Sequence, residues 1–224
     1  MMKKSLLTFA LFGVVAASQA VTIANWTFEV SVPVNAGPHA AEFGVGLATG
    51  SHASSSAVYS NPAGNGSVES FSSNFWAVGD YYQFQVSTIG LEDIMFSWDQ
   101  TASNTGPRDF RIQYSTNGTT FTDFGTDYQV LLNGGSNPAW NSTTYNPVYT
   151  FNADLSSVTA IDNQATVFLR LTNTTTVSIN GGTVATAGTN RVDNGLISGT
   201  AVPEPATMAV LGLGVAALLR RRKK

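Results

Sequence analysis

The sequence predicts an all-β protein, an antiparallel β-sandwich of jelly-roll type. Three observations support this. Apolar residues recur at every second position in several short runs, which is the period of a half-buried strand. Gly, Asn, Pro and Ser separate the runs, as turns require. Between the two chain ends, no segment shows the 3.6-residue period of an amphipathic helix.

Taken in order, Ile23 to Val30 alternates loosely and is expected to be the first strand. Residues 31–68 are rich in Gly, Ala, Ser, Asn and Pro and read as one long loop, which in a compact domain carries function or wraps the core. Tyr81 to Val86 puts Tyr82, Phe84 and Val86 on one face, and a strand from Ile94 to Asp99 follows. Asp109 to Ser115 sets Phe110, Ile112 and Tyr114 against Arg111 and Gln113. Asn117-Gly118 then predicts a hairpin into Phe121–Phe124, because both residues tolerate the positive φ of a tight turn. Tyr128–Leu132, Val148–Phe151, Thr166–Thr172 and Arg191–Ser198 complete the expected strands, with Val167, Leu169 and Leu171 in register.

The two ends follow a different logic. Lys3 and Lys4, the apolar run Leu6–Ala17 and the small residues Ser18-Gln19-Ala20 form a signal peptide over residues 1–20, with cleavage between Ala20 and Val21. Such a segment implies passage through the Sec translocon. At the other end, Val202-Pro203-Glu204-Pro205 precedes an apolar segment, Ala206–Leu219, and five basic residues, Arg220, Arg221, Arg222, Lys223 and Lys224. As a helix the apolar segment would rise about 21 Å, against a hydrocarbon core about 30 Å thick. It is therefore a short, weakly held transmembrane helix with the basic tail on the cytoplasmic side. Proline donates no backbone N–H and fixes its φ, so Pro203-Glu204-Pro205 is extended and accessible.

This tail, residues 202–224, resembles the PEP-CTERM sorting signal of Gram-negative bacteria. The resemblance implies recognition by an exosortase, a membrane cysteine protease, and cleavage near Pro203, Glu204 and Pro205, which would be substrate residues rather than catalysts. It further implies release or transfer to the cell surface, with exopolysaccharide as a partner. Within the remaining domain, 21–201, the stretch Phe110–Phe121 and the segment Gly188–Gly199 resemble galactose-binding-like and carbohydrate-binding sandwiches. That second resemblance implies a structural calcium tying the first and last strands, with Glu29 and Asp193 as ligands.

Composition narrows the function. Seven of the 11 Lys+Arg residues lie in the two ends; the domain keeps only Arg108, Arg111, Arg170 and Arg191 against thirteen acids, a net charge of −9. Such a surface repels nucleic acid, and membrane contact is expected only through the C-terminal helix before cleavage. There is no cysteine, so no disulfide holds this exported fold.

The candidate chemical groups are few. His39 and His52 are the only histidines, and no Gly-x-Ser-x-Gly elbow or HExxH motif accompanies them. Glu92-Asp93 and the pair Asp123 and Asp127 sit in turn sequences rather than in a paired-carboxylate pattern. Of the four tryptophans, Trp26 and Trp98 belong to strands and are expected in the core, and Trp76 fits either a core or an exposed site. Trp140 falls in a Gly-, Ser- and Asn-rich loop and is expected to be an exposed platform for a sugar ring. The predicted role is a non-enzymatic structural or adhesive domain of a surface or matrix protein. The alternatives are a glycan-binding module held in exopolysaccharide, with Trp140 in its site, and a hydrolase built on His39 or His52.

Overall fold

The computed structural model describes residues 19–202 and Gly212. Most of the expected signal peptide, the Pro203-Glu204-Pro205 motif, the apolar segment 206–219 apart from Gly212, and the basic tail lie outside these residues. Among the described residues, no helix is long and apolar enough to cross a membrane.

The strands are β1 (Ala20–Trp26), β2 (His39–Ala40), β3 (Phe43–Gly44), β4 (Gly46–Ser51), β5 (Tyr59–Ser60), β6 (Phe71–Ser73), β7 (Tyr81–Val86), β8 (Leu91–Ala102), β9 (Asp109–Ser115), β10 (Thr122–Gln129), β11 (Leu131–Leu132), β12 (Thr150–Asp154), β13 (Val167–Asn173) and β14 (Asn190–Ala201). Apart from the single helical residue Gly212, the described helical turns are short 3-10 segments at Pro147–Tyr149 and Thr159–Ile161. Two sheets pack face to face as a jelly-roll sandwich. One runs β11-β8-β14-β1-β3, with β12 on β8 and the β5–β6 pair on β14; the other runs β10-β9-β13-β7-β4-β2. All named pairings are antiparallel except β11 with β8.

The core lies between the sheets and is strongly aromatic. Trp26, Phe84, Phe96 and Trp98 form a chain of ring contacts with centroids 4.7 to 5.1 Å apart. The second half of that chain reaches Phe151 and Tyr128. Trp26 and Trp98 are core residues, as their strands predict, and Trp76 joins them. The alternating strands appear where the pattern puts them: Tyr82, Phe84 and Val86 of β7, Phe110 and Ile112 of β9, and Val167, Leu169 and Leu171 of β13 all face inward.

Three expectations need correction. The first strand ends at Trp26 rather than Val30. Beyond it Phe28 turns to a φ of 59°, and the Glu42 carboxylate accepts the backbone N–H groups of Thr27, Val30 and Ser31 in place of a ladder partner. Residues 31–68 are not one loop, since β2 to β5 lie within them. On β4 the inward positions are Gly46, Ala48 and Gly50. A Cβ on Gly46 would stand 2.5 Å from the Trp26 ring, and one on Gly50 would stand 2.4 Å from the Tyr59 ring. The strand is small on its inner face because its partners are large. Finally, β9 and β10 do form the predicted hairpin, but Thr122 is the first residue to pair, with Tyr114. The intervening turn is held by the Asn117 side chain, which accepts the N–H groups of Thr119 and Thr120.

Candidate functional site

The outward positions of the six-stranded sheet form ordered rows. Because side chains alternate, the inward apolar set of β7, β9 and β13 fixes an outward set on the same strands. Register then aligns that set across the sheet. Asp123, Gln113, Arg170, Gln83 and Thr49 make one row, and Arg111, Thr172, Tyr81 and Ser51 make the next. Phe168 and Gln85 belong to a third.

Arg170 is the centre of this face. Its guanidinium carbon lies 3.7 Å from the Tyr81 ring centroid and 3.4 Å from that of Phe121, so the cation is sandwiched between two rings. Its Nε donates to Gln83 Oε1 at 2.8 Å, and a terminal nitrogen donates to the Tyr81 hydroxyl at 2.9 Å. The group is half-buried, and burial lowers its pKa from the usual guanidinium value. No carboxylate pairs with it among the described ion pairs. Gln113 links the neighbouring row, accepting from Thr172 Oγ1 and donating to Asp123 Oδ1. At the border, Arg111 donates to Asp123 and Asp127, both at 2.6 Å, and Arg108 chelates Asp109. Three arginines balance three aspartates, so the face is electrically neutral although the domain is acidic.

The sequence-predicted site residues are placed elsewhere. Trp140 is not an exposed platform: it is 4% exposed. Its Nε1 donates to the Ala63 carbonyl at 2.7 Å, and its ring stands edge-on to Tyr149 with centroids 5.3 Å apart. Loop composition predicts exposure, but here the loop folds back onto the segment around Ala63 and buries the indole against it.

Glu29 and Asp193 fasten the same segment from two sides. Glu29 Oε1 accepts Glu69 N–H at 2.7 Å. Asp193 is fully buried. Its Oδ2 accepts Asn65 N–H at 2.8 Å and Ser67 Oγ–H at 2.6 Å, and its Oδ1 accepts Asn194 N–H at 2.8 Å. Asp99, its register partner across β8 and β14, accepts from Asn65, Asn194 and Thr150 side chains. Burial pushes the Asp193 pKa up to about 7; the Ser67, Asn65 and Asn194 donors oppose the rise and the charge of Asp99 adds to it. A calcium ion needs six to eight oxygen lone pairs turned toward one point. Here the Asp193 oxygens are turned toward N–H and O–H donors. No group of three or more His, Asp or Glu side chains converges among the described residues. The residues implied as ligands therefore do not fit a shared cation. EDTA and added calcium are both expected to leave the melting temperature unchanged; a shift of several degrees with either would overturn this.

Both histidines are held in the interior: His39 is buried, with Nε2 2.9 Å from the Asn35 carbonyl oxygen. His52 Nδ1 lies 2.9 Å from Asp80 Oδ2 and Nε2 lies 2.9 Å from Ser73 Oγ. Asp80 also accepts Ala53 N–H and Ala77 N–H. The order Ser73–His52–Asp80 resembles a nucleophile relay, but the three side chains are buried and Ser73 Oγ is also in hydrogen-bond contact with Tyr82. Of three surface cavities, lined around Leu47, Phe151 and Phe43, none includes His39 or His52. Burial lowers the His52 pKa, with the Asp80 contact opposing, so the ring is neutral near pH 7 and serves as a hydrogen-bonded core group.

Comparison with known proteins adds the following. No curated protein matches the chain. Several solved structures are similar. The CBM22-1–GH10 modules of Clostridium thermocellum xylanase 10B, complexed with xylohexaose, share 11% identity over 82% of this chain, with a TM-score of 0.47; this chain spans 29% of the length of that one. The CBM22-2 xylan-binding domain of Paenibacillus barcinonensis Xyn10C shares 12% identity, covering 80% of this chain and 99% of that one, with a TM-score of 0.45. The K1 cleaved adhesin domain of Lys-gingipain from Porphyromonas gingivalis W83 shares 11% identity, covering 80% and 97% of the two chains, also with a TM-score of 0.45. Residues 201–223 match the family model described as the PEP-CTERM protein-sorting motif, so the chain carries that sorting motif directly after its last β-strand.

Proposed function

We propose that this is an exported, non-catalytic surface protein that holds a neutral polysaccharide on the outer face of its six-stranded sheet. The Sec translocon and an exosortase are its partners in export and processing, with cleavage near Pro203-Glu204-Pro205. Exopolysaccharide around the cell is its ligand, and adhesion follows from that binding. The observation that carries the glycan assignment is the sandwich of Arg170 between Tyr81 and Phe121. Held by two rings and by Gln83, the guanidinium pays little further ordering entropy to engage a hydroxyl. Tyr81 and Phe121 are each partly exposed beside it, which lets sugar C–H groups approach the rings. Amide side chains at Gln83, Gln85 and Gln113 supply both donors and acceptors, which suits hydroxyl-rich, uncharged chains. The balanced charges of the face disfavour a polyanion.

Affinity electrophoresis tests this. Native gels cast with soluble neutral polysaccharides, a β-1,4-xylan and a β-1,4-galactan, are expected to retard the domain, whereas a gel with anionic alginate is not. Arg170→Ala is expected to weaken retardation about tenfold, the equivalent of one charge-assisted hydrogen bond. Equal retardation of wild type and variant, each measured against its own mobility in a gel without polysaccharide, would end the assignment.

A further inference from the structure

Both processing ends of the domain leave the sandwich at one place. Strand β1 begins beside the end of β14: Ala20 pairs with Thr200 and Val21 with Gly199. Ala201 pairs with Leu91 at the start of β8, and Val202 N–H donates to the Gly90 carbonyl at 2.9 Å. The chain therefore passes from a central strand into the sorting motif without a linker.

This exit end is also apolar at its rim. Val45 is 85% exposed and Ile89 65%, with Val21 and Val202 beside them at 44% and 39%. Their positions follow from register. Val45 N–H donates to Ile23, in the first half of β1, and Ile89 lies in the β7–β8 turn next to Gly90. In the other sheet the same end is formed by Gly46 and Val167, both paired with Val86. Here a shallow cavity of about 420 Å³ opens between Ala40, Ala41, Val45, Leu47 and Val86. Four arginines serve the whole domain, and none belongs to this end. Glu92 does, paired with Thr200, and Asp93 follows it.

We propose that this end rests on the surface of an electrically neutral (zwitterionic) bilayer, with Val45 and Ile89 in the headgroup region, while residues 206–219 hold the uncleaved chain in the membrane. The proposal rests on the membrane insertion of that segment. Only Pro203, Glu204 and Pro205 separate Val202 from Ala206, a reach of about 14 Å at most. So short a tether keeps the exit end at the interface, where apolar side chains bury about 5–10 Å deep. Glu92 and Asp93 disfavour an anionic surface. The sheet face around Arg170 then stands upright, turned along the membrane rather than into it.

The chain has no cysteine, so single labels are clean. Full-length Val45→Cys, Ile89→Cys and Thr183→Cys would each carry the fluorophore NBD, in phosphatidylcholine vesicles containing nitroxide lipid. Thr183 is at the far end: its neighbour Ala185 bonds Thr105 beyond β8, and β14 alone is about 36 Å long at 3.3 Å per residue. About half of the emission at 45 and 89 should be lost at that depth, and none at 183. Placing Ile89→Asp behind the label at 45 should restore most of it. Flotation of the vesicles reads insertion separately. Chains that float with all three labels unquenched overturn the docking alone; chains that do not float overturn both the insertion and the docking.

Discussion

Trp140→Ala is expected to destabilise the domain by about 3–5 kcal/mol, the cost of removing a buried aromatic side chain, and to leave polysaccharide retardation unchanged. The indole fills the space between the 133–141 loop and Ala63, and it is fixed at both its nitrogen and its edge. Tyr149, the ring it meets, is itself buried and donates to the Pro138 carbonyl. The alanine variant would leave the Ala63 carbonyl without this donor and a void beside Tyr149. Urea melts of residues 21–202, with the same variant run in xylan gels, give both quantities. If stability held within about 0.5 kcal/mol, as for an ordinary surface site, and retardation disappeared, Trp140 would be a binding residue after all.

A second large effect concerns pH. The Asp193 carboxyl titrates near 3.8 when exposed and at about 7 when folded, chiefly because it is buried. A group whose folded pKa is raised contributes stability that is full below its unfolded pKa and is lost as pH rises through the folded one. Over the whole window, from roughly pH 4 to 7, the loss is about 4 kcal/mol by the usual 1.36 kcal/mol per unit. His52 acts in the opposite sense. Its folded pKa is lowered from 6.5, so its contribution is present above that value and fades as pH falls. The step from pH 6 to pH 8 is therefore the informative one. Stability should fall there by about 1 kcal/mol, or roughly 2–4 °C for a domain of this size. The carboxyl carbon of Asp193 should titrate in the same interval by NMR. A melting temperature that rises from pH 6 to 8, with Asp193 titrating below pH 5, would contradict the buried-carboxyl account.

The parts of the fold that sequence reveals are those where packing imposes a period. Strands β7, β9 and β13 alternate because one face must be apolar, and their inward residues are legible one by one. Strand β4 is illegible for the opposite reason: Gly46, Ala48 and Gly50 yield their volume to Trp26 and Tyr59, and small residues carry no hydrophobic signal. The candidate site was hidden in plain view. Gln83, Arg170 and Gln113 are the polar half of the same alternation, but their alignment into one row depends on the order β9-β13-β7, which short-range pattern does not contain. Trp140 misled because local composition reports that a segment turns, not what it turns onto. The sorting tail is legible directly from its residues, because the Pro-Glu-Pro triplet, an apolar run and a basic end are consecutive in the chain.

The border strand of the six-stranded sheet has a consequence for crowding. β10 is largely exposed along its length, and an uncovered strand is a template for adding the next molecule. Here its pairing with β9 is interrupted between Phe124 and Tyr128, and Asp123 and Asp127 stand at the break, tied to Arg111. The irregular outline and the acids prevent a second copy from lying flush. Copies crowded together at high concentration would stay separate domains rather than fuse into filaments through this edge.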